Sequence, residues 1–144
     1  MTLVVVDTNV VVSVFLSPRG SPAQLLAMWE RRALALVVSE PMLAEYRRAL
    51  SYERVAERHG MDATQIEDVI AGFRRFATLV EIEHIPQVVE SDPDDDAVIA
   101  TAVAGHASYV ITGDQDLLGM AEHRGISIVE PATFLRIARA DDSP

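Results

Sequence analysis

Four short apolar runs punctuate the chain: Leu3–Val6 (LVVV), residues 34–38 (LALVV), Tyr109–Thr112 (YVIT) and Ile126–Val129 (ISIV). None is long enough for a buried helix. All are rich in β-branched residues, which is the signature of strands, and the first and third have the uniform apolarity of strands covered on both faces. Residues 79–82 (LVEI) add a short alternating strand. The intervals between strands read as helices. One spans Asn9–Leu16. Ser21 as N-cap with Pro22 at the first helical position opens another through Arg32, and Ser39-Glu40-Pro41 repeats the signal for a helix to Leu50. Residues 54–78 are helical with a break at Gly60-Met61-Asp62, and Ile66, Val69, Ile70, Phe73 and Ala77 share one face. Ala97–Ala104, Asp116–Met120 and Pro131–Ala140 complete the helices. Strand and helix in alternation imply an α/β domain on a mostly parallel sheet. A length of 144 residues suits one domain, here 1–140, with a frayed tail at 141–144.

Composition removes several chemistries. The chain has no Cys, so thiol nucleophiles, disulfide scaffolds and thiolate-ligated metals are out. All 12 basic residues are Arg. The absence of Lys excludes the Walker phosphate loop, Schiff-base chemistry and the phosphate-pairing lysine of aspartyl-phosphate enzymes. A net charge of -10 argues at first against a nucleic-acid partner. The charge is uneven, however: residues 19–75 carry nine Arg against eight acids, while residues 76–144 carry three Arg against thirteen. No apolar run reaches the roughly 18 residues of a membrane span, and the start MTLVVVDTNV has no basic n-region, so a cytoplasmic location is expected.

The acids fall at telling places. Asp7 follows the first strand directly, and Asp114 and Asp116 follow the strand 109–112 within a few residues. Ligands of open α/β sheets bind outside the carboxyl ends of the strands. The helix headed by Asp94-Asp95-Asp96 runs back against the next strand, which brings its N-terminus to the same edge, and Glu45 lies about one turn into its own helix. Up to five carboxylates converge with no lysine to offset them. Such a set repels itself unless a cation intervenes, and oxygen donors without Cys or paired His suit Mg²⁺ or Mn²⁺. Each acid has an ordinary reading as well. Asp7 and Asp114 suit helix caps, Asp94 and Asp95 a solvated helix start, and Glu45 a surface ion pair with neighbouring arginines.

The ordered set VVVDTNVVVSVFL, SEPMLAEY and DPDDDAVIATAVAGHASYVITGDQDLL resembles the PIN-domain family, and within it the VapC-like toxin components of toxin–antitoxin pairs. The resemblance covers nearly the whole chain. It implies a three-layer α/β/α sandwich with a parallel sheet of about five strands and a divalent-metal-dependent endoribonuclease activity. Asp7, Glu45, Asp96 and Asp114 take the family's four acidic positions as metal ligands and catalytic acids. Asp116 is the alternative acid of the last loop, and Thr8, Asn9 and Thr112 are placed to orient the acids by hydrogen bonds, with local capping as their other reading. The resemblance further implies an RNA substrate, a homodimer and a cognate antitoxin.

On the same resemblance the helices between the second and third strands face RNA. This nominates Arg47, Arg48, Arg54, Arg58, Arg74 and Arg75 for phosphate contacts, against an ordinary role in pairs with Glu53, Glu57 and Glu67. Tyr46, Tyr52 and Trp29 are read as core residues, with base stacking as the other option. Competing functions are a catalytically silent PIN domain that binds RNA or protein, a flap-type DNA nuclease, a phosphoacceptor domain and a Ca²⁺ store. The missing Lys, the chain length and the lack of EF-hand spacing count against the last three.

Overall fold

The computed structural model describes residues 1–82 and 93–141. Its elements, in chain order, are β1 (Leu3–Val6), α1 (Thr8–Leu16), α2 (Ser21–Glu30), β2 (Ala35–Val38), α3 (Glu40–Ser51), α4 (Glu53–His59), α5 (Ala63–Phe76), β3 (Thr78–Leu79), α6 (Pro93–Ala104), β4 (Tyr109–Ile111), α7 (Gln115–Met120), β5 (Glu122–His123), β6 (Ile126–Val129) and α8 (Pro131–Asp141). The strands form one sheet in the order β3-β2-β1-β4-β6-β5, parallel throughout except for the β5–β6 pair. Val4, Val5 and Val6 are buried in succession, as are Leu36, Val37 and Val38. Successive strand residues point to opposite faces, so both faces of the sheet are covered, and the fold is the expected α/β/α sandwich.

Strand order reverses beside β1. The chain first moves outward from β1 through β2 to β3, then crosses to the other side for β4 and β6. The switch point therefore lies between β1 and β4, which pair in parallel with Val6 opposite Ile111. A crevice opens at the carboxyl ends of two such strands.

The sheet has five parallel strands and one more. β5 is an edge strand joined to β6 by the two residues Arg124 and Gly125, both at positive φ (50° and 80°), the geometry of a type I′ hairpin turn. Two residues of strand with an arginine in the turn leave no sequence signal. β3 lies at Thr78–Leu79, where it pairs with Val37 and Val38, one residue ahead of the expected 79–82. Gly20 caps α2 in place of Ser21, which puts Pro22 in the second helical position. The break at 60–62 is as expected: Gly60 ends α4 at φ 73°, and Asp62 forms a capping box with Gln65 to open α5. α6 begins at Pro93, four residues ahead of the expected Ala97, so the acids before Ala97 lie in its first turn. Residues 83–92, and with them Glu90 to Asp92, lie outside the described residues, as does most of the expected tail, 142–144.

α6 comes very close to the sheet at its C-terminal end. A Cβ on Gly105 would lie 2.3 Å from Val37 Cγ1. About one turn earlier a chain of hydroxyls ties α6 to α3. Thr101 donates its hydroxyl hydrogen to Ala97 O at 2.7 Å, so at the 2.8 Å contact between the hydroxyls of Ser39 and Thr101 the donor is Ser39. Both residues are fully buried. Ser39 thus occupies the N-cap of α3 without capping it, and spends its hydroxyl on the packing of two helices that both carry site acids.

Candidate metal centre

Asp7 ends β1 and caps α1. Its Oδ1 accepts from Thr8 N at 2.8 Å, and its Oδ2 accepts from Thr112 Oγ1 at 2.7 Å and from Asn9 Nδ2 at 3.3 Å. The carboxylate is 6% exposed, and these donors fix its direction in a space where a misdirected charge would be costly. Thr112, at the end of β4, serves two acids at once: it donates to Asp7 and accepts from Asp114 N at 2.9 Å. Asn9 does the same for the backbone, since its Oδ1 accepts from Gly113 N at 3.1 Å. Asn9 and Thr112 therefore stitch the ends of β1 and β4 together across the switch point, and Thr8 contributes through its main chain. Asp114 caps α7 by accepting from Asp116 N at 2.7 Å.

A cleft of about 360 Å³ opens at this edge, lined by Asp7, Thr8, Asn9, Glu45, Asp95 and Asp114 together with Val12, Ala49, Tyr52 and Val55. Carboxylate oxygens of Asp95, Asp114 and Asp116 lie within 4.8 Å of one another. Three oxygen donors at that spacing, in a chain without Lys or Cys, fit a hard divalent cation.

The cleft brings together three of the five expected acids, Asp7, Glu45 and Asp114, and adds Asp95; Asp116 stands at its edge, joined to it through the approach to Asp95 and Asp114. Asp96 is buried but does not line the cleft. The cause is the early start of α6. Adjacent residues of a helix are rotated by about 100°, so Asp95 and Asp96 face different directions, and only one can look into the crevice. Asp95 is 4% exposed, and the reading of it as a solvated helix start does not hold. No signal in one sequence separates three consecutive aspartates; the phase of the helix does.

A second residue outside the expected set supports Asp7 from below. Tyr46, on α3 one residue beyond Glu45, donates its hydroxyl to the carbonyl of Val6, the last residue of β1. Its ring packs against Phe73 at 5.3 Å, which itself stacks on Trp29 at 5.3 Å. Burial, together with the negative charge of Asp7, drives the Tyr46 phenol far above its ordinary range, so it remains a donor. Tyr46 and Trp29 are thus packing residues, as expected, while Tyr52 is 55% exposed.

Among the arginines, the ordinary pairing with Glu67 is made by Arg47, while Arg48 and Arg74 take Glu45 and Glu40 as partners. Arg47 on α3 pairs with Glu67 on α5 at 2.5 Å, and Arg74 on α5 reaches back to Glu40 on α3 with two bonds of 2.9 Å. Arg75 lies over the Phe76 ring at 5.3 Å. Arg48 pairs with Glu45 and so stands at the cleft, while Arg54 and Arg58 are exposed on α4.

A parallel α/β sandwich with carboxylates gathered at its switch point defines a class of proteins that bind their ligands at the carboxyl ends of the strands. Within that class, residues 3–116 match the PIN domain, and the chain belongs to that family. Among solved structures it is similar to a chain of VapBC2 from Rickettsia felis, which was crystallised bound to a DNA fragment from their promoter. The TM-score is 0.59 with 13% identity, and the match covers 88% of this chain and 97% of that chain. An identity this low speaks for the fold alone. No curated protein matches this chain. Among the described residues, no helix is long and apolar enough to cross a membrane.

Proposed function

We propose that the protein is a Mg²⁺- or Mn²⁺-dependent endoribonuclease that acts as the toxin of a toxin–antitoxin pair, working as a homodimer and held inactive by its antitoxin. The observation that carries the nuclease reading is the approach of Asp95, Asp114 and Asp116 to within 4.8 Å, two of which, Asp95 and Asp114, line one cleft with Asp7 and Glu45. PIN domains are generally nucleases, and the similarity to a VapBC2 chain supports the toxin reading.

Asp95, Asp114 and Asp116 would hold the cation, and Asp7 and Glu45 face the same cleft from β1 and α3. When bound, the cation supplies Lewis-acid activation of water and neutralises charge on the scissile phosphate. Asp7, locked by Thr8, Asn9 and Thr112, is the acid with the least freedom to turn, which suits it to orient the attacking water. Glu45 leaves its ion pair with Arg48 at little cost because Arg48 is more than half exposed, and the freed guanidinium can meet a phosphate oxygen.

The test combines RNA cleavage with Mn²⁺ titration calorimetry on the parent and on Asp7→Asn, Asp95→Asn and Asp96→Asn. Cleavage should require Mn²⁺ or Mg²⁺ and stop with EDTA. Asp95→Asn should lose both heat of binding and cleavage, with Asp96→Asn retaining the former. Cleavage that survives EDTA sinks the metal mechanism, and an Asp95→Asn protein that binds Mn²⁺ like the parent sinks this ligand set. A small reading frame just upstream of the gene, whose product copurifies with this chain, is the expectation for an antitoxin.

A further inference from the structure

We infer that Tyr52 is a substrate-positioning residue, a stacking platform for one nucleobase of an RNA held at the acidic cleft. The inference rests on the nuclease reading above and adds to it a residue that would position the substrate. Among the described residues the other tyrosines and the tryptophan are packed. Tyr46 is 1% exposed, Trp29 stacks on Phe73, and Tyr109 meets Phe134 edge to face at 5.2 Å. Tyr52 alone of them stands 55% exposed, and it does so in the lining of the acidic cleft.

Its position comes from a break in the chain direction. α3 ends at Ser51 and α4 starts at Glu53, and Tyr52 between them is extended at φ -59° and ψ 134°. The backbone turns there while the ring stays on the cleft wall beside Val12, Ala49 and Val55. The lining of the cleft is therefore divided between aromatic and aliphatic side chains (Tyr52, Val12, Ala49, Val55) and carboxylates (Asp7, Glu45, Asp95, Asp114). That division matches a nucleotide, whose base is flat and apolar on its faces and whose phosphate is the part a cation would meet. A volume of about 360 Å³ holds one nucleotide. A base inside a duplex has both faces already stacked on its neighbours and offers none to a ring, so pairing at this nucleotide is incompatible with the contact.

The probe is a single-stranded RNA oligonucleotide with 2-aminopurine at successive positions, with Ca²⁺ in place of Mn²⁺ to load the cleft without turnover. The parent protein should quench one position. Tyr52→Ala should abolish that quenching and weaken binding on the order of tenfold, and Tyr52→Phe should restore both, because the face of the ring and not its hydroxyl is used. Mn²⁺ heat of binding should be the same in all three proteins, which separates a stacking role from damage to the acids. Annealing a complementary strand should abolish binding. Equal affinity and quenching in parent and Tyr52→Ala overturns the inference, as does tight binding of the duplex; either leaves Mn²⁺-dependent cleavage, and so the nuclease reading, intact. Conversely, Tyr52-dependent quenching without any metal-dependent cleavage supports the platform and refutes the nuclease.

Discussion

Thr112 is the most sensitive point of the acid network, and Thr112→Val probes it with almost no change of shape. Valine keeps the β-branch that suits a strand end, and the backbone is held independently by the bond from Thr112 N to Val129 O at 3.0 Å. What disappears is one oxygen with two bonds: the 2.7 Å donation to Asp7 Oδ2 and the 2.9 Å acceptance from Asp114 N. The first is a hydrogen bond to an ionised group in a fully buried setting, with a net contribution of about 1.5–3 kcal/mol. The second leaves a backbone N–H without its acceptor; because Asp114 is only partly buried, water recovers some of it, and about 1 kcal/mol is the appropriate loss. The two together predict destabilisation of about 2–4 kcal/mol in urea unfolding. Asp7 keeps Thr8 N and Asn9 and so stays near its place, but with more freedom to turn. Thr112 also anchors the backbone of Asp114, a proposed ligand, and loosening a group that orients a metal ligand typically costs about 10–100-fold in metal affinity, which Mn²⁺ calorimetry reads directly. Thr112→Ser retains the hydroxyl and should recover most of both losses. A Thr112→Val protein within about 0.5 kcal/mol of the parent, with unchanged Mn²⁺ affinity, refutes the reasoning.

Three further outcomes follow from the packing. Tyr46→Phe loses the bond to Val6 O and about 0.5–1.5 kcal/mol at neutral pH. Because the folded phenol titrates far above the unfolded value of 10.0, the parent should lose up to about 1.4 kcal/mol per pH unit above pH 10, as the unfolded chain releases a proton that the folded one keeps. The variant should lack that share of the slope in alkaline denaturation curves. Gly105→Ala forces a methyl to within 2.3 Å of Val37 Cγ1 and should cost about 1–3 kcal/mol or more. Combined with Val37→Ala it should be less destabilised than the sum of the single changes by at least about 1 kcal/mol, and strict additivity of thermal or urea data would exclude the close approach. The Arg74 guanidinium holds the Glu40 carboxyl below its ordinary 4.5, so the pair's small stabilisation is present above that range and lost as pH falls through the folded value. Glu40→Gln should therefore differ slightly from the parent at neutral pH and not at all in acid, and a difference that grows on acidification would show the sign to be wrong.

The runs LVVV, LALVV and YVIT determined their own strands because short, β-branched, uniformly apolar segments have few other ways to be buried. Strand ends were legible for the same reason, and so were Asp7 and Asp114 at one edge, since a carboxylate directly after a buried run can only emerge where that run ends. The missing Lys and Cys limited the chemistry of the edge before any geometry was known. What tertiary structure alone decided is rotational and long-range. Whether Asp95 or Asp96 enters the cleft depends on where α6 starts, because a shift of one residue turns a side chain by about 100°. Arg47 and Arg74 pair across α3 and α5 because those helices pack together, a contact local spacing does not encode. Tyr46 and Tyr52 differ by six positions on one helical stretch, yet one is sealed beneath Asp7 and the other left facing the acids, because α3 ends between them and the chain turns away. Sequence pattern determines which residues must leave water; the packing of one helix against another determines which of the remainder meet.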